Sequence, residues 1–138
     1  MRILTLTAVL SGASTLCVVV SESQAETLAI QSVIGQQFEA LKADDFERAF
    51  DFAAPSIKGM FGTAERFGQM VREGYPMVHR PSSVEYLGLR EDRGGMFQRV
   101  LIRDMQGRAH VLDYSMVMTG SGWQIDGVLI APGPYIGA

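Results

Sequence analysis

With 138 residues, 15 acidic against 12 basic side chains and a net charge of −3, the chain lacks the basic footprint that nucleic acid or anionic lipid would require. Its single cysteine, Cys17, lies close to the N-terminus. The chain beyond Cys17 has no disulfide, thiol nucleophile or thiolate ligand and must hold together by packing alone.

Arg2 is followed by an uncharged, mainly apolar run from Ile3 to Val20, and Ser23 and Ala25 are small residues at the −3 and −1 positions of a cut after Ala25. This is the pattern of a secretory signal peptide, so the expected organisation is a signal over 1–25, one α+β domain over 26–131 and a loosely ordered tail over 132–138. A retained anchor is the alternative, but Gly12 and several Ser and Thr residues dilute the run and no basic stop follows. Leu16 before Cys17 argues against lipidation. The expected location is periplasmic or secreted, with no stable membrane insertion after cleavage. Arg2 and Glu22 leave together, so the charge balance is unchanged, and the remainder suffices for one small domain and not for two.

From Thr27, the residues Ile30, Val33, Ile34, Phe38 and Leu41 recur at helical spacing and form one apolar stripe, with Gln31, Gln36, Gln37 and Glu39 largely off it. Asp44, with Glu47 three residues on, predicts a capped second helix whose inner face is Phe46, Ala49, Phe50 and Ala53. The acidic residues Asp44, Asp45 and Glu47 are read as helix-start carboxylates favoured by the dipole, not as a cation site. Pro55 ends that helix, and Ile57, Met60 and Phe61 predict one further turn before Gly62. Thr63 caps a third helix, with Phe67, Met70 and Val71 inward and Gly74 as a left-handed stop. The two prolines of Tyr75-Pro76-Met77-Val78-His79-Arg80-Pro81 predict an extended connection, either a ligand rim or a plain linker with His79 and Arg80 in water.

The remainder reads as an antiparallel meander. Ser83 to Leu89 is a first strand, turned by Glu91-Asp92-Arg93-Gly94-Gly95, and three more extended segments from Met96 to Ile130 are parted by Asp104-Met105-Gln106-Gly107 and Thr119-Gly120-Ser121-Gly122. Alternation sets Met96, Gln98, Val100 and Ile102 against Phe97, Arg99, Leu101 and Arg103, and His110, Leu112, Tyr114, Met116 and Met118 against Ala109, Val111, Asp113, Ser115 and Val117. In the last strand Trp123, Ile125, Gly127 and Leu129 oppose Gln124, Asp126, Val128 and Ile130. Neither face of the last two strands is wholly polar, so a curved sheet covered in part on both sides is expected.

Helices first, then a bent antiparallel sheet, resembles the order of the nuclear transport factor 2-like, or SnoaL-like, cone, and Gly122-Trp123-Gln124-Ile125 is similar to the phrase that often opens a late strand there. More specific are Ala43-Asp44-Asp45-Phe46, Met60-Phe61-Gly62-Thr63, Gly74-Tyr75-Pro76-Met77-Val78, Arg80-Pro81, Val100-Leu101-Ile102-Arg103-Asp104 and His110-Val111-Leu112-Asp113-Tyr114. Together they resemble the exported bacterial family DUF4864 over nearly the whole mature chain. The resemblance implies an α+β, cone-shaped, cystatin-like fold in a bacterial periplasm, and brings no assigned activity. Such cones commonly hold a pocket between sheet and helices and often pair their sheets, so a homodimer is expected. They serve isomerases, dehydratases and binding modules alike, so fold leaves the activity open.

Isomerase chemistry of the ketosteroid type needs a carboxylate base and an oxyanion donor in an apolar site, and the first helix carries no tyrosine or histidine on its inner stripe. His110 and Tyr114 share a strand face about 13 Å apart, while Asp113 points to the other face, which excludes a His-Asp dyad within the strand. The pocket candidates are Tyr75, His79, His110, Tyr114, Met116 and Trp123, of which Tyr114, Met116 and Trp123 fit a core role as well. Met116 and Met118, neighbours on one face, are the compositional hint of an apolar guest. Arg99 and Arg103 share the opposite face of their strand and would grip an anion or a partner's carboxylate, or simply face solvent. Two separated histidines without carboxylates at ligand spacing predict no metal, and no nucleotide or hydrolase motif predicts a cofactor. The expected role is a non-catalytic module with a small apolar pocket or an interacting sheet face, the alternative a small lyase or isomerase.

Overall fold

Among the described residues five helices precede a meander: α1 (Glu22–Lys42), α2 (Phe46–Asp51), α3 (Pro55–Phe61), α4 (Ala64–Gly74) and α5 (Pro76–His79), then β1 (Ser83–Asp92), β2 (Gly95–Arg103), β3 (Ala109–Thr119) and β4 (Gly122–Ile130). The structure, a computed structural model, describes Gly12 and residues 21–131. Most of the expected signal and the expected tail over 132–138 therefore lie outside the described residues. The strands pair antiparallel in the order β1-β2-β3-β4, a curved sheet that does not close, and the α+β expectation holds.

The stripe on α1 meets one face of that sheet. Ile30, Ile34, Phe38 and Leu41 are buried against Val100 and Ile102 of β2, Leu112, Tyr114 and Met116 of β3 and Ile125 of β4, with Ala49, Phe67, Val71, Met77 and Val78 closing the cluster. Full burial of each large aliphatic chain contributes roughly 1.5–3 kcal/mol, so this layer dominates the stability. Gln37, expected off the stripe, is buried too. It lies three residues beyond Ile34 and four before Leu41, and its side chain is satisfied by donating to the Ala49 carbonyl at 3.1 Å.

Asp44 does not cap α2. It stands at φ +56° just past α1, its N–H bonding the Leu41 carbonyl while the Asp45 N–H reaches that of Ala40, the paired closure of a left-handed helix end. The cap passes to Asp45, whose Oδ1 accepts from the Arg48 N–H at 3.2 Å. Thr63 caps α4 as expected, but Gly74 is its last helical residue rather than a left-handed stop, and the positive φ belongs to Gly62, which ends α3. The expected extended connection is instead the helical turn α5. Pro76 opens it at a first-turn position, where the helix ladder needs no N–H, and Met77 and Val78 are buried.

Strand β1 runs three residues beyond its expected end, and Arg93 and Gly94, at φ +51° and +78°, form the two-residue turn to β2. Two bulges bend the sheet. In β1, Leu87 and Gly88 stand against one residue of β2, and the buried Gln98 amide donates to both of their carbonyls. In β4, Ser115 pairs with Gly127 but Met116 with Ile125, leaving Asp126 as the extra residue. The strict alternation expected for β4 fails there. Trp123 and Ile125 share the inner face with Val128, which pairs with Tyr114, and not with Gly127 and Leu129.

Candidate functional site

The bulge at Asp126 matters because it brings five consecutive β4 residues, Ile125 to Leu129, to the wall of a cavity of about 410 Å³ between sheet and helices. Gln37 and Leu41 of α1, Ile57, Met60 and Phe61 of α3, Phe67, Met70 and Val71 of α4, Tyr75, Val78 of α5 and Tyr114 of β3 complete the lining, with Ala53 between α2 and α3. The α2–α3 connection is pinned to β4 by two backbone bonds, Ile125 N–H to the Phe52 carbonyl and Ala54 N–H to that of Ile125, both 2.8 Å. That pin holds α3 over the opening. Leu41 and Tyr114 are wholly buried and form the floor, whereas Met60 and Leu129, 72% and 62% exposed, mark the mouth.

The lining is apolar apart from Gln37, Tyr75, Tyr114 and Asp126. Gln37 is engaged by Ala49, and Asp126 is exposed and accepts from the Ser56 hydroxyl. Tyr114 differs: its hydroxyl is buried and has no hydrogen-bond partner among the described residues. Burial, with smaller contributions from Tyr86 and Tyr75, pushes its ionisation far above the usual phenol range, so it remains a neutral donor. No lysine, arginine or histidine is among the lining residues.

Of the residues singled out from sequence, Tyr75 and Tyr114 are brought together in this wall, and His79, His110, Met116 and Trp123 are not among the lining. Met116 is buried within the core, and Trp123 is half-buried against it. His79 does not simply face water: its Nε2 lies 2.7 Å from Asp44 Oδ1, and Arg80 donates to Asp44 Oδ2 at 3.0 Å and to the Lys42 carbonyl at 2.7 Å, tying α5 to the corner after α1. The hydrogen bond from His79, then the nearby arginines, hold the Asp44 carboxyl below its usual range. His110 Nε2 meets Asp104 Oδ2 at 2.9 Å while Asp104 Oδ1 accepts from the Gln106 and Arg108 N–H groups, each at 2.9 Å. Led by the His110 bond, these lower the Asp104 pKa to about 2.

Arg99 is not left to solvent. Its Nε and Nη2 donate to Asp113 at 2.9 and 3.0 Å, and Arg90 grips the same carboxylate at 3.3 and 3.2 Å, the Arg99 bond first in holding that acid low. Arg103 donates to the Gly107 carbonyl at 3.4 Å. Sequence reading missed Gln37, Ile57, Phe61, Phe67, Val78 and Val128 as wall residues. For Gln37 the signal was present in its three- and four-residue spacing from Ile34 and Leu41. Among the described residues no three His, Cys, Asp or Glu side chains converge to hold a metal ion, and no helix is long and apolar enough to cross a membrane.

The family model described as Domain of unknown function (DUF4864) matches residues 23–136. The chain belongs to that family. No curated protein matches the sequence. The chain is similar to a solved structure of a phospholipid-binding protein from Ralstonia solanacearum in complex with a phospholipid, at 14% identity and a TM-score of 0.46, over 80% of this chain and 79% of that one. So distant a likeness decides nothing about this DUF4864 member's ligand.

Proposed function

We propose that this DUF4864 protein is a binding module that holds a small apolar molecule between its sheet and its helices. The observation that carries the reading is the cavity of about 410 Å³ with an almost wholly apolar wall, within the usual size for small-molecule sites. A lyase or isomerase would want a carboxylate set deep beside a donor. The carboxylate of this cavity, Asp126, lies exposed with its oxygen engaged by Ser56.

The test is uptake of an apolar fluorophore such as N-phenylnaphthylamine by the purified protein, repeated with Val128→Phe. Val128 shares the inner face with Tyr114 and is only partly buried, so a phenyl ring there extends into the cavity. The expected outcome is saturable binding that falls at least about tenfold in the variant with stability kept, since overpacking costs its usual 1–3 kcal/mol only where space is already filled. Equal uptake by both proteins refutes the reading.

Export remains part of the proposal. A cut after Ala25 falls in the first turn of α1, where Ser21 to Ala25 are exposed and the first fully buried residue is Ile30. Removing that turn costs the core nothing. N-terminal sequencing of protein from the extracytoplasmic fraction should read from Glu26, and soluble protein there beginning at Met1 contradicts it.

A further inference from the structure

A buried hydroxyl without a partner loses hydrogen bonding that water gave it in the unfolded chain, and native proteins leave few such groups. Among the described residues Tyr114 is one, and it belongs to the wall of the apolar cavity. The other polar wall groups are placed differently: the Gln37 amide donates to Ala49, Asp126 serves Ser56 at the exposed side, and Tyr75 is only half-buried. Among these polar wall groups the Tyr114 hydroxyl is the buried donor left without a partner, in a wall that also holds Leu41, Val71 and Val78. Burial raises the ionisation of this phenol, so at neutral pH it is a donor.

The same wall discriminates by charge. Among the described residues it contains no cationic side chain, and its charged member is the acid Asp126. An ionised carboxylate or phosphate moved beside Tyr114 would lose its hydration and gain one neutral hydrogen bond, which does not compensate. A neutral oxygen loses far less and satisfies the orphan group. We infer that the guest is an uncharged, mainly apolar molecule carrying one carbonyl-type oxygen, as in a ketone, ester or amide, which accepts a hydrogen bond from the Tyr114 hydroxyl. This rests on the apolar-guest reading and narrows it.

Three ligands of matched chain length separate the two statements: decane, methyl octyl ketone and decanoate, each measured at neutral pH by displacement of N-phenylnaphthylamine from the wild type and from Tyr114→Phe. The expected result is a preference of about tenfold for the ketone over decane, the worth of one hydrogen bond to a group otherwise unsatisfied, and of at least about tenfold for the ketone over decanoate. In Tyr114→Phe the ketone and decane should bind alike. Equal affinity of the wild type for ketone and decane, a preference that survives in Tyr114→Phe, or decanoate as the tightest of the three would overturn the inference while leaving the apolar-guest reading in place. A protein that takes up neither the fluorophore nor any of the three ligands overturns both. Should Tyr114→Phe fail to fold, the three affinities of the wild type decide the matter by themselves.

Discussion

Asp113 and Tyr114 are neighbours on β3, point to opposite faces of the sheet and are both buried, yet the chain treats them in opposite ways. On the outer face Asp113 is held by two guanidinium groups, from Arg90 on β1 and Arg99 on β2, in a fork that satisfies both oxygens. On the inner face the Tyr114 hydroxyl has no partner among the described residues. A carboxylate that serves the architecture receives its partners from the same chain, and the hydroxyl left alone belongs to a residue of the cavity wall. The contrast between the two faces is what separates scaffold from site.

The largest effect expected lies in the scaffold. Trp123→Ala removes a ring that packs against the core without being among the cavity lining, and should lower stability by about 2–3 kcal/mol, below the cost of a fully buried tryptophan, with affinity for N-phenylnaphthylamine changed less than twofold. Chemical denaturation and fluorophore titration on the same preparation measure both. A loss under about 1 kcal/mol with weakened uptake would move the ring from scaffold to site and blur the contrast.

Asp113→Ala comes next. It leaves two arginines without their shared acceptor, and because both are partly exposed the cost is about 1–2 kcal/mol, well short of breaking a fully buried pair. Tyr114→Phe should do the opposite. Deleting an unsatisfied hydroxyl while keeping the ring that packs 6.0 Å from Phe38 should leave the empty protein as stable as before or more stable by about 1 kcal/mol. A loss of similar size in that variant would mean that the hydroxyl has a structural partner after all, and the two neighbours would no longer differ.

Sequence reached the scaffold more readily than the site, for a physical reason. The stripe on α1 and the alternation on β2 and β3 are periodic signals that a single strand or helix carries by itself, and both are realised. What eluded it depends on neighbours far along the chain. Whether Pro76 breaks or begins a helix is decided by the burial of Met77 and Val78 beneath α1 and α4, and whether Asp44 or Asp45 caps α2 by how α1 ends. The bulge at Asp126, which reverses the facing of Val128, follows from the register with β3 and has no signature in β4 alone. Tyr75 and Tyr114 are recognisable in sequence as aromatic residues with polar tips, but the void between them is a property of packing. The partner of His110 is hidden from strand parity because its carboxylate, Asp104, lies in the preceding turn.

That turn carries the smallest expected effect and tests the rule that polar groups outside the cavity are partnered within the chain. The His110 bond, then the N–H groups of Arg108 and Gln106, lower the Asp104 pKa from an ordinary 3.8 to about 2. A carboxyl depressed on folding contributes stability that is complete above the ordinary value and disappears as pH falls through the folded one, so the window runs from about pH 4 down to about pH 2. Asp44 and Asp113 are held low as well, and the acid slope of the melting temperature sums all three. Asp104→Asn keeps the shape of the turn but cannot titrate, so its melting temperature should fall less steeply with acid than that of the wild type, the two curves converging toward pH 2. Parallel curves across that window would show that Asp104 is not held by its neighbours.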